Sequence, residues 1–160
     1  MARSSTLFFI AFLIISCQNQ IKKDEDFQLP TSDYVILKFN PEWQWIFKDV
    51  TPSVLNKKEL SEIEKILEYA MSSHNVQFTK GTDEYKHWGL ELNNYKRQYV
   101  PVINQKGEKV IWINFFCQDF KNRDWRKEIP IVADGGNCYF NIKINLTTKK
   151  YSDLRINGYA

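Results

Sequence analysis

The stretch Asn137-Cys138-Tyr139-Phe140-Asn141-Ile142-Lys143-Ile144-Asn145-Leu146 decides the fold of this chain. Along it, apolar side chains alternate with polar ones, and a period of two is typical of a strand that buries one face. The face predicted to be buried carries Cys138, Phe140, Ile142, Ile144 and Leu146. A slip of one residue would expose all of these side chains, so the stretch also constrains the register of its neighbours.

Three more segments are predicted to join this strand in a four-stranded antiparallel meander: Tyr95 to Asn104, Lys109 to Gln118 and Tyr151 to Asn157. The first two flank Gln105-Lys106-Gly107-Glu108, which is a hairpin signal. One register buries the apolar faces, and it pairs Ile111 with Ile144, Ile113 with Ile142 and Phe115 with Phe140. Keeping Leu154 inward requires it to lie opposite Ile144, which predicts a bulged final turn.

The segment before the meander predicts one amphipathic helix. Asn56 is a good N-cap, and Glu59 stands three residues later, as in a capping box. Apolar residues then follow at helical spacing to about Asn75: Leu60, Ile63, Ile66, Leu67, Ala70 and Met71. The solvent-facing side is predicted to carry Lys57, Glu62, Glu64, Lys65 and Glu68.

Extended segments are predicted in front of the helix, one at Tyr34 to Phe39 and another where Trp43, Trp45 and Phe47 alternate. Thr79 to Asn94 is interpreted as a loop. Together these elements predict an α+β domain in which one helix packs on the meander. The element order is similar to cystatin-like folds and to the nuclear-transport-factor-like cone.

The N-terminal residues carry an export signal. An apolar run from Leu7 to Ile15 follows Arg3 and is far shorter than the ~20 residues of a membrane-spanning helix. It leads into Ile14-Ile15-Ser16-Cys17, which resembles the lipobox of bacterial lipoproteins. The resemblance implies cleavage before Cys17, acylation of its thiol, and a lipid anchor in the bacterial cell envelope, at the periplasmic or surface face of the outer membrane. An uncut signal anchor and ordinary secretion are the alternatives.

These assignments divide the chain into a signal peptide at 1–16, a lipidated flexible tether at 17–32 and a single domain at 33–160. The chain has three cysteines, and acylation of Cys17 leaves Cys117 and Cys138. The predicted register places these two opposite each other on the apolar face, where a disulfide and two reduced core thiols are equally compatible with the pattern.

Several motifs resemble a family of small bacteroidete lipoproteins for which no activity is established. They are Tyr95 to Pro101, Lys106 to Lys109 with Trp112-Ile113-Asn114, and Asp134 to Lys143. The Trp43 to Leu67 stretch and the ending Asn157 to Ala160 fit as well. The resemblance implies an envelope location and a single α+β domain.

The net charge and the spacing of possible metal ligands argue against several function classes. A net charge of +3 is too small to indicate the basic surface of a nucleic-acid-binding domain. His74, His87, Cys117 and Cys138 show no paired metal-ligand spacing, so neither a metal nor another cofactor is predicted. Neither histidine has an identifiable catalytic partner, and no catalytic residue is assigned.

The second face of the sheet is the predicted binding face. In the predicted register one row holds Pro101, Trp112, Lys143 and Arg155, and the next holds Tyr99, Asn114 and Asn141. Aromatic rings among amides and cations suit recognition of a protein or glycan, and Trp112 and Lys143 are predicted to form a cation–π contact. The alternative is that the Trp43 and Trp45 segment covers this face as a second small core.

The leading hypothesis is a non-enzymatic envelope lipoprotein that binds a protein, or less readily a glycan, through this face. One alternative is a cone-like domain that binds a small ligand or hydrolyses it in a pocket near His74 or His87. An immunity or inhibitor lipoprotein is the other alternative.

Overall fold

A computed structural model describes residues 29–31, 33–93 and 95–158. Its strands are β1 (Tyr34–Ile36), β2 (Thr51–Pro52), β3 (Lys96–Ile103), β4 (Lys109–Phe116), β5 (Tyr139–Asn145) and β6 (Lys150–Ile156). Its helices are α1 (Lys57–Asn75) and α2 (Asp83–Trp88), with 3-10 turns at Pro41–Trp43 and Gly136–Cys138. The predicted signal and Cys17 lie outside the described residues. None of the helices in the described ranges combines the length and apolarity needed to cross a membrane.

The strands form one sheet in the order β1-β3-β4-β5-β6, with β2 pairing at the end of β3. β1 runs parallel to β3, and the other pairs are antiparallel. The predicted α+β class is therefore confirmed, but the sheet is larger than predicted. β1 lies within the extended segment predicted at Tyr34 to Phe39, but its pairing with β3 was not predicted. β2 is only two residues long, too short to produce a periodic pattern.

The helix begins where the sequence predicts. The Asn56 side chain accepts a hydrogen bond from the Glu59 amide, and the Glu59 carboxylate accepts one from the Asn56 amide, both at 3.0 Å. This capping box satisfies two amides that a helix start leaves unpaired. The apolar side of α1 then packs on one face of the sheet, which we call the inner face. Its core includes Leu60, Ile63, Leu67, Ile111, Ile113, Phe115, Phe140, Ile142 and Ile144.

The predicted pairing of β4 with β5 is confirmed, including Ile113 opposite Ile142. The predicted pairing of β3 with β4 is wrong by one residue, because Trp112 lies opposite Val100 and not Pro101. The Asn104 amide closes the hairpin on the Glu108 carbonyl, and Gly107 takes a φ of +76° inside the shorter loop. β3 is buried on both faces and lacks the alternation that would have revealed its register.

The final hairpin also differs from the prediction, because Ile144 lies opposite Tyr151 and not Leu154. The irregularity lies within the strands, between Asn141 and Lys143. Asp153, with a φ of +51°, is the extra residue of the bulge on β6. The bulge lets Tyr151 and Leu154 both pack against the inner core.

The predicted structure of two segments is wrong: the extended piece at Trp43, Trp45 and Phe47, and the loop from Thr79 to Asn94. Trp43 ends a 3-10 turn rather than alternating along a strand, and Asn40 caps this turn. The predicted loop from Thr79 contains α2, which Thr82 caps through a hydrogen bond from the Tyr85 amide. Both elements are too short for a periodic pattern to reveal them.

Candidate functional site

The predicted binding face is covered by other parts of the chain. Trp112 is only 4% exposed and belongs to a second core formed by Leu37, Phe39, Ile46, Phe47, Val100 and Val102. Trp45, itself exposed, packs edge-on against Trp112 at 5.5 Å between ring centroids. The face of the sheet opposite the inner face, which we call the outer face, therefore forms the second small core of the alternative interpretation. Trp112 is buried in this core and is not available to a partner.

The polar members of the predicted binding face are engaged within the fold. The Trp112 indole donates a hydrogen bond to the Asn141 side chain at 3.1 Å, and the Asn114 amide donates one to Gln98 at 3.0 Å. Lys143 pairs with Asp153 at 2.9 Å and lies over the ring of Phe47, not of Trp112. The Asn114, Asn141 and Lys143 side chains therefore have partners within the fold, and these contacts account for polar groups on this face without a ligand.

Two other members of that face lie elsewhere than predicted. Tyr99 is fully buried on the inner face opposite Ile113, as a consequence of the one-residue change in register. Arg155 is exposed and lies opposite Asn141, one row away from Lys143. The structure therefore does not bring the six predicted residues together on one accessible surface.

Cys117 and Cys138 form a disulfide with a Cα–Cα distance of 5.1 Å. Cys117 is exposed rather than part of the predicted apolar face. The bond closes the loop that runs back over the outer face, where Trp125 packs on Phe116. Gln98, completely buried, donates hydrogen bonds to the Trp125 and Glu128 carbonyls at 2.6 and 2.9 Å.

His74 lies near the end of α1, and His87 lies on α2. His74 Nε2 donates a hydrogen bond to the Trp88 carbonyl at 2.9 Å, which ties the end of α1 to α2. His87 makes contacts of its own. Across residues 29–31, 33–93 and 95–158 no group of three or more histidine, cysteine or carboxylate side chains is placed to hold a metal ion.

An open cleft of about 1010 Å³ lies between α1, the start of β3 and the residues after β4. Neither histidine lines it. Its walls combine charged, polar and apolar side chains: Leu29, Pro30, Asp33, Ser61, Glu64, Lys65, Glu68, Leu92, Asn93, Tyr95, Lys96, Arg97, Phe116, Cys117, Gln118 and Asp119.

A buried ion pair forms the floor of this cleft. Arg97 is 2% exposed, and its Nη1 donates to both Glu64 carboxylate oxygens at 2.6 and 2.8 Å. Its Nη2 donates to the Leu92 carbonyl at 2.8 Å, and the guanidinium lies over the Phe115 ring at 5.2 Å. Among the described residues Arg97 Nε has no hydrogen-bond partner. Breaking such a pair would leave a desolvated charge, so separating the two side chains is costly.

The ionisation of this cluster is set by burial and by its charges. Burial lowers the pKa of Arg97, but Tyr99 and Glu64 outweigh that effect and raise it. Burial raises the pKa of the Tyr99 hydroxyl well above its ordinary value. The cluster therefore holds a charged guanidinium, and a neutral phenol whose hydroxyl donates to Glu64 at 3.3 Å.

The sequence interpretation missed this cluster. It assigned Glu64 to the solvent-facing side of α1, whereas the carboxylate points to Arg97 and is 24% exposed. It also placed Tyr99 on the outer face of β3, and alternation along a strand then implies the outer face for Arg97 as well. The only available signal was an arginine just before the apolar run from Tyr99 to Ile103, and its partner lies 33 residues away.

The rim of the cleft is polar and partly self-paired. Lys96 forms an ion pair with Asp119, while Lys65 and Glu68 are exposed. The Tyr95 hydroxyl donates to the Asn137 carbonyl at 2.8 Å, and burial raises the pKa of Tyr95 to about 12. The Ser61 hydroxyl donates to the Lys57 carbonyl at 3.2 Å. The arrangement places charged groups at the edge of the cleft, and the Ser61 and Tyr95 hydroxyls each donate to a backbone carbonyl.

Comparison of the chain with protein-family models, with curated proteins and with solved structures found no match.

Proposed function

We propose that this protein is a lipid-anchored, non-enzymatic binding protein of the bacterial cell envelope, and that its ligand enters the cleft between α1 and β3. The observation that carries the proposal is the cleft itself. Its volume of about 1010 Å³ lies at the upper end of the range of ligand sites, and polar groups converge beside apolar ones.

The floor supports a binding function because it is organised before any ligand arrives. The Glu64 and Arg97 side chains hold each other in place through two short hydrogen bonds. A preorganised site loses less conformational freedom when it binds than a flexible one does. The carboxylate of Glu64 remains partly exposed and can receive a donor from a ligand.

A segment of a partner protein is the ligand class that fits best. Acidic Glu68 and basic Lys65 stand one helical turn apart on the exposed rim, and the partly buried Leu92 lines the same cleft. A peptide presents both charges and apolar side chains, whereas glycans are recognised chiefly by exposed aromatic rings. The Tyr95 ring in this cleft is half-buried, and its hydroxyl is already bonded.

Photo-crosslinking in intact cells tests the cleft. A photoreactive residue in place of Glu68, in the cleft, is expected to give a discrete adduct, whereas the same residue in place of Glu84, exposed on α2, is not. The substitution Lys65→Glu should abolish the adduct formed from position 68. Equal adducts from both positions would contradict the assignment of the cleft.

The envelope location is supported by the lipobox resemblance at Cys17 and by the Cys117–Cys138 disulfide, because disulfides persist in oxidising compartments. Metabolic labelling with palmitate tests the anchor. The wild-type chain is expected to take up label and Cys17→Ala to take up none. A label that persists in the variant, or no label on the wild type, would contradict the anchor.

We also propose that β3 to β6 curve around α1 as in cystatin-like or cone-like folds. The support is the element order, one long helix followed by antiparallel strands that are neighbours in both sequence and sheet. An experimental structure tests it, since a flat sheet would contradict the comparison.

A further inference from the structure

The end of the sheet opposite the cleft carries a cluster of lysines, which we call the basic end. It combines the first turn of α1, the β3–β4 turn and the β5–β6 turn, and it contains Lys57, Lys58, Lys106, Lys109, Lys149 and Lys150. The three pieces are in contact, because Lys109 pairs with Glu59 at 2.5 Å and Lys149 pairs with Glu62. The cluster is thus a single surface formed by distant parts of the chain.

The charge of this end is not neutralised by its own acids. Its six lysines are accompanied by three glutamates, Glu59, Glu62 and Glu108, which leaves an excess of three positive charges. Without the predicted signal peptide, which carries Arg3, the chain has 21 basic and 19 acidic side chains. The net charge is then +2, so the residues outside the basic end carry a net charge of −1. Glu59 and Glu62 are already paired, and Glu108 accepts hydrogen bonds from Asn104 and Asn145.

Four of the lysines are free to meet a partner. Lys57, Lys58, Lys106 and Lys150 are exposed, and none of them forms an ion pair with another residue in the described part of the chain. They lie on three different elements and form a spread of point charges.

Three of these lysines occupy positions where the local backbone makes a lysine energetically unfavourable. Lys57 and Lys58 begin α1, where the positive end of the helix dipole repels cations. Lys149 has a φ of +58°, a conformation that glycine and asparagine adopt at lower cost. Residues that are unfavourable for stability are expected mainly at functional sites. The positions of these lysines therefore indicate that their charge has a function.

We propose that the basic end binds the surface of a bilayer that contains anionic phospholipid. Lysine is a flexible point charge suited to scattered phosphate groups, whereas a defined anion is bound more often by planar arginine forks. Each lysine near an anionic bilayer strengthens binding about fivefold. Val54 is 76% exposed just before α1 and adds an aliphatic contact beside Lys57.

The position of the tether is compatible with this contact. Leu29 and Pro30 line the cleft at the far end of the sheet, and β3 spans roughly 26 Å from there to the basic end. The segment from Cys17 to Leu29 can extend about 40 Å. A chain anchored at Cys17 therefore has the reach to turn its basic end to the same bilayer. The inference does not rest on the ligand of the cleft.

Hydrogen exchange of the full chain reconstituted in vesicles tests the proposal. Vesicles of phosphatidylcholine are compared with vesicles containing about one third phosphatidylglycerol. We expect amides of the turns at 104–108 and 146–149 to exchange at least about fivefold more slowly in the anionic vesicles at low salt. Amides beside Lys121, at the opposite end, serve as the internal control and should not change.

Two matched sets of substitutions identify the source of the protection. Glutamine in place of Lys57, Lys58, Lys106 and Lys150 should abolish it, whereas glutamine in place of the exposed Lys38, Lys80, Lys86 and Lys121 should leave it intact. Equal exchange in both vesicle types, or equal loss in both variants, overturns the proposal. Protection by soluble phosphate in neutral vesicles also overturns it, because the ligand would then be the free ion.

Discussion

The inner face of the sheet is closed by one regular helix, whereas the outer face is closed by two irregular segments. On the inner face α1 buries Ile63 and Leu67 completely against fully buried strand residues. On the outer face the segment from Leu37 to Val50 and the disulfide-closed loop share the task. A regular element repeats its contacts every turn, while an irregular one depends on a few anchor residues, so the two faces are expected to differ in stability.

The largest expected effect comes from removing one aromatic ring from each face. Phe115 is fully buried and stacks on Phe140 at 4.2 Å, so Phe115→Ala should lower the free energy of unfolding by about 3–5 kcal/mol. Phe47→Ala on the outer face should lower it by about half as much, because its segment can detach without global unfolding. Urea denaturation of both variants measures this, and equal losses would remove the distinction.

Opening the disulfide tests the outer face alone. Replacing Cys117 and Cys138 by serine should cost about 3 kcal/mol, since the bond restricts a loop with a sequence separation of 21 residues. Hydrogen exchange should speed up around Trp125 and remain slow at Ile113. Chemical reduction of the disulfide in the wild-type chain should reproduce both results. Faster exchange at Ile113 than at Trp125 would show that the bond supports the inner core instead.

The pH dependence of stability tests the ionisation of Glu59, which lies in the first turn of the helix that covers the inner face. Burial raises the pKa of Glu59, but hydrogen bonds from Lys109 and the Asn56 amide outweigh it and lower the pKa below its ordinary 4.5. The charged carboxylate therefore stabilises the fold above pH 4.5, and this contribution is lost as the pH falls through the lower folded value. Glu59→Gln should cost about 1 kcal/mol at pH 7. The difference from wild type should shrink below pH 4.5, and a constant difference would contradict the assigned ionisation.

The smallest expected effect is at the bulge on the outer side. Asp153→Asn keeps a side chain that tolerates a positive φ and removes the charge that pairs with Lys143. Because Asp153 is about half exposed, the loss should be at most about 1 kcal/mol. A double-mutant cycle with Lys143→Met isolates the pair. A coupling as large as the effect at Phe115 would mean that the outer face is as tightly held as the inner one.

The comparison of the two faces also explains which predictions succeeded. The capping box at Asn56 and Glu59 and the pairing of Ile113 with Ile142 could be predicted, because local chemistry and alternation express them directly. The position of Tyr99 could not, because β3 is buried on both sides and its register depends on the length of the turn at Gly107. A burial pattern on one strand constrains a neighbour only when that neighbour alternates too.

The candidate site was beyond sequence reasoning for a related reason. Glu64 occupies a helical position where a solvated carboxylate is the ordinary interpretation, and only the approach of β3 makes it the partner of Arg97. In the same way, Trp112 belongs to a pattern that suits an exposed binding face. It is the docking of Ile46 and Phe47 that buries it.

By itself, the sequence determined the α+β class, the start of α1 and the register of β4 with β5, because each follows from contacts between residues at regular spacing. Only the tertiary structure decided which sheet face is covered, where Arg97 finds its counter-charge and how six separate lysines come to share one end. Those outcomes depend on residues far apart in the chain, and a pattern of local spacing carries no information about which distant segments will meet.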